Sequence, residues 1–576
     1  MVAPEYIFIV MESKKVPTPL PIGVSSFSDM IERGYYYVDK TLFIKEILDK
    51  QATVTLCTRP RRFGKTLNQT MLKCFFEDTS RLGGADTRKL FSGLKIECAG
   101  AEYMSHHGKY PVIFLSFKEA GQDTFEKSYE NLTTCIAREC RRHDYTMDKI
   151  SKEADRERYQ RIANEKGSVS DYSGSLLLLC QCLSDYYGQK PIILIDEYDV
   201  PLQKSWVCGF YDEMVGFIRP LLSSALKDNA YLQFAVITGC LRISKESIFT
   251  GLNNLDMVTI LSDRYDEHFG FTQNEMDAML EHYGLMDKRQ LVKDWYDGYL
   301  FGRTEVYNPW SSIKVVADWV ENINWLPRPY WSNTSGNDIV RKLIDKVDSD
   351  ARADLETLMA GGTISKLIHE DITYDEIEKN IDNLWNFLFF TGYLKKVGES
   401  MSGVKIILDL AIPNLELQYT YETKIEEWFK EQISEKKLDA FYNAILTGDV
   451  ETFQKEFSEL LLDSISYWDS AESFYHGFMA GILSRLKGYK VKSNRESGHG
   501  RCDLALVADN IRTGKAVIFE FKTAKKFRDL PDACEAALKQ IEEKNYAAYW
   551  EDEGYADIMK YGIGFSGKNC EVKLGV

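Results

Sequence analysis

Short apolar runs recur in the first half of the chain at 53–58, 111–117, 192–195 and 233–238, with stretches of helical periodicity between them. Runs that are apolar throughout, rather than alternating with polar residues, fit strands buried on both faces of a parallel sheet. Strand–helix alternation therefore predicts an α/β layer fold over residues 20–260. Residues 261–330 are aromatic-rich and punctuated by Gly and Pro, in FGFTQNEM at 269–276, WYDGY at 295–299 and YNPW at 307–310. They predict a small, mostly helical lid subdomain. Residues 331–465 carry periodic Leu, Ile and Trp among many Glu and Lys, and predict a helical linker domain. Residues 466–576 return to α/β, with a helix near 470–487, strands near 502–508 and 516–522, a helix near 531–544 and a last strand near 559–565. There is no convincing internal repeat or low-complexity tract.

Composition narrows the class. At roughly 150 residues per domain, 576 residues suggest about three or four domains. With 44% hydrophobic and 27% charged residues the composition is that of an ordinary soluble globular protein. No apolar run approaches the roughly 20 residues needed to span a bilayer. The short apolar patch at 6–11 has no basic region before it, so a signal peptide is not expected. The expected location is cytoplasmic, without membrane attachment. The twelve cysteines are scattered without a CxxC pair, which argues against a disulfide framework or a zinc site. The net charge of −16 argues against passive, tight nucleic-acid binding by the whole surface. Charge is uneven, however: residues 485–528 hold twelve Lys/Arg against four Asp/Glu. That local basic stretch fits a phosphate backbone, or a solvated face.

Two constellations carry chemistry. The first is LCTRPRRFGKT at 56–66, which follows an apolar run and precedes a helical stretch, the setting of a phosphate-binding P-loop. Gly64 would let the main chain approach phosphate, Lys65 would neutralise it, and Thr66 would offer its hydroxyl to Mg²⁺. Arg61, Arg62 and Phe63 complete the candidate cradle, while Arg59 and not glycine opens the loop. The run IILIDE at 192–197 places two acids at a strand end. Asp196 would support Mg²⁺, and Glu197 would orient or activate the attacking water. Thr238, at the tip of another apolar run, could sense the terminal phosphate, and Arg242 just beyond could contact it in this or a neighbouring subunit.

The second constellation is Asp503, then Glu520 and Lys522 in VIFEFK at 517–522. In a strand, Glu520 and Lys522 share one face while Phe519 and Phe521 take the other. Two carboxylates and a lysine converging at a sheet edge make a divalent-metal phosphodiesterase site. Asp503 and Glu520 would hold the metal. Lys522 would place the attacking water or stabilise transition-state charge. Glu472 could complete the metal shell from the preceding helix. His476, four residues on and on the same face, fits a satisfied, half-buried histidine better.

The pieces YYYVDKT at 35–41, TRPRRFGKT at 58–66, LIDEYDVP at 194–201, TGCLRISKESIFTGLNNL at 238–255, FGFT at 269–272, WYDGY and YNPW run in unbroken order through residues 20–330. They resemble the predicted AAA-type ATPases with a TRPRRFGK[ST] loop, which are often fused to a PD-(D/E)xK nuclease domain. ESFYHGFMAGIL at 472–483, SGHGRCDLAL at 497–506, VIFEFK, ALKQIEEKNYA at 537–547 and YGIGFSGK at 561–568 resemble that nuclease domain. The resemblance implies ATP bound at Lys65, Thr66 and Asp196, with Arg59 as a family habit. It implies catalytic Asp503, Glu520 and Lys522, with Gln540 reaching the site or the phosphate. Tyr546 matches a family tyrosine and fits core packing.

The expected fold is therefore a multidomain α/β chain: a P-loop NTPase parallel sheet, a helical lid and linker, and a C-terminal restriction-endonuclease-like α/β domain. The expected cofactors are ATP and Mg²⁺, or Mn²⁺ at the second site. The expected activity is ATP-regulated cleavage of nucleic acid, DNA above RNA, in defence, a mobile element or repair. The competing expectation is a nucleotide-switched scaffold that grips nucleic acid or protein and cuts little. A homo-oligomer and a protein partner both stay open.

Overall fold

The computed structural model describes residues 17–84, 86–241, 248–249, 253–331, 349–359, 361–370, 382–403, 405–421, 438–464, 472–497, 500–511, 514–524, 526–567 and 569–575. The chain divides into two compact units. One comprises Met1–Trp331, His369–Ile377 and Phe390–Gly392; the other comprises Ser332–Ile368, Glu378–Phe389 and Tyr393–Val576. Among the described residues no helix is long and apolar enough to cross a membrane.

The first unit is built on a five-stranded sheet of β1 (Val54–Thr58), β2 (Val112–Ser116), β3 (Ile192–Asp196), β4 (Phe234–Gly239) and β5 (Leu255–Val258). The order is β2-β3-β4-β1-β5 and every pairing is parallel. β1 and β3 are buried along their whole length, which is why they are apolar without alternation. β5 has no such signature. It is a four-residue edge strand, half-buried for most of its length and interrupted by Asp256. Because all strands run the same way, their carboxyl ends share one edge, where open α/β sheets take ligands.

Beyond the sheet, the segment 261–330 folds as helices Gln273–His282, Arg289–Tyr296 and Pro309–Glu321 with a hairpin of β6 (Tyr299–Phe301) and β7 (Thr304–Val306). A capping box of Thr272 and Glu275 starts the first helix. The same Glu275 accepts from the buried Lys40 Nζ at 2.5 Å, and Lys40 also donates to the Glu267 carbonyl at 2.6 Å. This pair fastens the YYYVDKT segment to the helical subdomain.

In the second unit, the stretch 331–465 is not helical throughout. β8 (Ile364–Leu367), β9 (Lys395–Ser402) and β10 (Lys405–Ala411) make an antiparallel sheet in the order β8-β10-β9. The alternation in β10 is confined to two buried leucines, Leu408 and Leu410. So short a period-2 signal is easily absorbed into a helical pattern. The second sheet contains β11 (Tyr489–Ser497), β12 (Gly500–Ala508), β13 (Lys515–Thr523), β14 (Asp557–Ser566) and β15 (Asn569–Leu574) in sequential order. All its pairings are antiparallel except β13 with β14. That parallel pair is joined by helices Leu530–Glu543 and Tyr546–Asp552.

Strand alternation sorts β13 between two cores. Val517, Phe519 and Phe521 join Leu504, Leu506, Phe441, Phe453, Phe457 and Phe478 on one face. Ala516 and Ile518 join Cys502, Ile541, Tyr546 and Trp550 on the other. Helices Leu438–Thr447 and Val450–Ser464 thus belong to the core of the C-terminal sheet, and the expected boundary between 465 and 466 runs through that core. Phe457→Ala removes a fully buried ring and is expected to destabilise this unit by about 3–5 kcal/mol in denaturant unfolding. A fragment beginning at residue 466 is expected to show no cooperative transition.

Candidate functional site

The P-loop follows β1 directly. Gly64 takes φ 85° and N-caps the helix Lys65–Phe76. That left-handed conformation suits glycine, and the helix it opens begins with N–H groups that have no partner within the helix. Thr66 Oγ1 donates to Asp196 Oδ2 at 2.7 Å, and Thr238 Oγ1 donates to Asp196 Oδ1 at 2.7 Å. Lys65 Nζ lies 3.7 Å from Glu197 Oε1 and donates to the carbonyls of Arg59 at 3.1 Å and Pro60 at 3.0 Å. The tips of β1, β3 and β4 therefore bring Lys65, Thr66, Asp196, Glu197 and Thr238 into one cluster. Arg242 lies outside the described residues.

The three residues ahead of Gly64 are used differently. Phe63 is buried against Tyr299 and Phe301, so only its main chain is placed to meet a ligand. Arg62 stacks over Trp310 at 4.4 Å, and Arg61 donates to Gln203. Arg59 is fully buried. Its guanidinium donates to the carbonyls of Thr58, Val258 and Arg264 and lies between the rings of Phe269 and Phe301. Burial pushes its pKa down to about 10, which still leaves it charged at neutral pH. Arg59 is thus a tie from the end of β1 to the end of β5 and the helical subdomain.

In the second unit, Asp503 on β12 and Glu520 and Lys522 on β13 also meet. Asp503 Oδ2 accepts from the Phe521 amide at 2.8 Å, and the Asp503 amide donates to Glu520 Oε2 at 3.4 Å. Lys522 Nζ donates to Glu520 Oε1 at 3.2 Å and to the Phe521 carbonyl at 2.9 Å. Gln540, on the crossover helix, donates to Glu520 and also to the Tyr546 hydroxyl at 3.2 Å. His476 Nε2 bonds the Asp503 carbonyl at 2.7 Å, so it holds the strand and not the carboxylate. The side chain of Glu472 lies outside the described residues.

Two family models match the chain: "Predicted AAA-ATPase" over residues 21–249 and "PD-(D/E)XK nuclease superfamily" over residues 470–574. The chain joins an AAA-ATPase-like domain to a PD-(D/E)XK nuclease domain. Over 570 residues it is 26% identical to an uncharacterized protein in the vnfD 5′ region of Azotobacter chroococcum mcd 1, covering 95% of this chain and 96% of that protein. A solved structure of the Aeropyrum pernix ORC2 protein in ADPNP–ADP complexes aligns over 67% of this chain and 92% of that one, at 11% identity and a TM-score of 0.25.

In both domains carboxylates are crowded where burial disfavours their charge. In the ATPase-like domain, burial raises the Asp196 pKa, and the neighbouring Glu197 raises it further. Asp199, which patterning did not single out, is pushed up to about 6 by burial and by Glu197. Its Oδ2 accepts from the Cys240 and Leu241 amides at 2.8 and 3.0 Å, while Oδ1 is buried without a hydrogen-bond partner among the described residues. Burial disfavours the Lys65 ammonium, but Cys240, Glu197, Asp199 and Asp196 outweigh it and raise its pKa above the usual lysine value. Thr66 and Asp196 are the hard-oxygen pair able to hold a divalent cation here.

In the nuclease domain, burial and then the adjacent Asp503 push Glu520 up to about 7, against the pull of Lys522. Two carboxylates crowded in this way suit a hard divalent cation, whose charge removes their repulsion. Among the described residues no third His, Cys, Asp or Glu joins them. The Phe521 carbonyl lies within the cluster as a further oxygen.

Two outcomes are expected. Arg59→Gly leaves a cavity between two aromatic rings and frees three carbonyls. It should lower stability by about 2–5 kcal/mol in thermal or denaturant unfolding without tightening ATP binding. For Glu520, the unfolded carboxyl ionises near 4.5 and the folded one only near 7. Between those values the native state holds the extra proton, so its contribution to stability is present below 4.5 and lost as pH rises through 7. In EDTA, the wild-type unfolding midpoint should fall more steeply from pH 5 to pH 8 than that of Glu520→Gln. Parallel slopes would rule this out.

Proposed function

We propose that this chain is an ATP-regulated, divalent-metal-dependent DNA endonuclease. The observation that carries it is the meeting of Asp503, Glu520, Lys522 and Gln540 at one strand end, with Glu520 held near neutrality. A bound divalent cation supplies Lewis-acid polarisation of the scissile phosphate and a more acidic water. Asp503 and Glu520 are the carboxylates that hold it. Lys522 stands beside Glu520 to orient the attacking water and to offset charge that develops on the phosphate oxygens. Gln540 fixes Glu520 by hydrogen bond and leaves Lys522 able to turn toward substrate. Arg485, Lys487, Lys490, Lys492, Arg495 and Arg501, basic residues in the sequence around β11 and the start of β12, would track the phosphate backbone.

At the ATPase-like site, Lys65 would exchange the Arg59 and Pro60 carbonyls for phosphate oxygens of ATP. Thr66 and Asp196 would hold Mg²⁺, Glu197 would orient the attacking water, and Thr238 would respond to the terminal phosphate through Asp196. Nucleotide state then sets whether the nuclease cuts.

The test is cleavage of plasmid and linear DNA with Mg²⁺ or Mn²⁺, with and without ATP. Asp503→Ala is expected to abolish cutting and Lys522→Ala to slow it by about 10²–10³-fold. Lys65→Ala is expected to abolish the ATP effect while the protein stays folded. Cutting by Lys65→Ala that follows ATP as in the wild type would remove ATP control. No cutting by the wild type under any condition, with ATP still bound, would leave the nucleotide-switched scaffold.

A further inference from the structure

β13, which delivers Glu520 and Lys522, ends at Thr523, and the chain leaves it through Lys526, Phe527 and Arg528 before the helix Leu530–Glu543. Those three residues are exposed in succession. The Phe527 ring is 67% exposed and stacks on no aromatic ring among the described residues. A lone exposed apolar residue is ordinary, but three features set this one apart. Cations flank it on both sides. The turn is held in place, with the Ala524 amide donating to the Phe565 carbonyl at 2.7 Å and Leu530 buried in the core. And it lies close in sequence to the proposed phosphodiester site: Phe527 is five positions beyond Lys522, a reach of at most about 18 Å. At roughly 3.4 Å per nucleotide of one strand, that is within about five nucleotides of a phosphate held at Asp503 and Glu520. The ion pair of Arg528 with Asp529, at 3.5 Å between exposed groups, does little to withhold the guanidinium.

We propose that Lys526, Phe527 and Arg528 form a stacking clamp for unpaired nucleotides beside the nuclease site. The Phe527 ring stacks on one base, which blunt duplex keeps within its own stack, and the two cations hold the phosphates on either side. This rests on the nuclease reading and deepens it. The substrate class is single-stranded DNA, or duplex with an unpaired end, in preference to blunt duplex.

The test measures binding of the full-length protein in EDTA, where no cutting occurs, to a fluorescent single-stranded oligonucleotide and to the matching blunt duplex. Phe527→Ala is expected to weaken single-strand binding by about tenfold to a hundredfold, with blunt-duplex binding unchanged, and Phe527→Trp to retain it. The double variant Lys526→Ala/Arg528→Ala is expected to reduce the log–log salt slope on single strands by about 1.4. Equal binding of both DNA forms by Phe527→Ala and wild type overturns the clamp while leaving the nuclease reading standing. A drop in Tm of several degrees in Phe527→Ala also overturns it, because the ring would then be packed within the fold. Failure of the wild type to bind either DNA in EDTA overturns the clamp and leaves the nuclease reading to the cleavage test with Mg²⁺ or Mn²⁺.

Discussion

Carboxylates crowded together where water is scarce repel each other and resist ionising, and both units of this chain place such a group beside a lysine. In one, Asp196, Glu197 and Asp199 surround Lys65. In the other, Asp503 and Glu520 face Lys522. One lysine cannot satisfy its whole cluster, and Asp199 Oδ1 and the near-neutral Glu520 are the visible residue of that shortfall. Isolated, such clusters are a cost to the fold. With a divalent cation and phosphate bound, as proposed, the same groups would be attracted to the ligand more than they repel each other.

The altered P-loop follows the same logic. A glycine at position 59 would serve only the loop's turn. Arg59 instead satisfies three main-chain carbonyls and packs between two rings, so the loop is braced from within the helical subdomain. In the proposed ATP site, cradling of phosphate would fall to Gly64, whose left-handed φ is tolerated without strain, to Lys65 and to the start of the helix. The loop's other two arginines are engaged with Trp310 and Gln203, which makes them supports of the loop.

In the nuclease domain, position depends on strand parity. Glu520 is buried and its neighbours Phe519 and Phe521 are committed to the opposite core, so β13 cannot slip by one residue without exchanging two rings for a carboxylate. The rings of Phe453 and Phe457, from the helix Val450–Ser464 that precedes the family-matched segment, pack in the same core as Phe519 and Phe521. Stability of β13 therefore draws on chain well outside the segment that carries Asp503, Glu520 and Lys522.

Much of this was legible in the residues alone. Unbroken apolar runs marked β1 to β4 because strands buried on both faces have no polar side to show, and Glu520 and Lys522 shared a face because strand periodicity is two. β5 was not legible, since an edge strand of four half-buried residues leaves no apolar run, nor were the strands within 331–465. Asp199 stood in plain view within LIDEYDVP, yet its raised pKa comes first from burial, which only folding produces, and then from Glu197, while Lys65 and the Cys240 and Leu241 amides pull it back. The reach of Gln540 to Glu520, the tie made by Arg59, and the membership of residues 438–464 in the C-terminal core are likewise contacts between distant parts of the chain. Local pattern determines which face a side chain takes; what it meets there is decided by packing, because proximity across a fold has no period in the sequence.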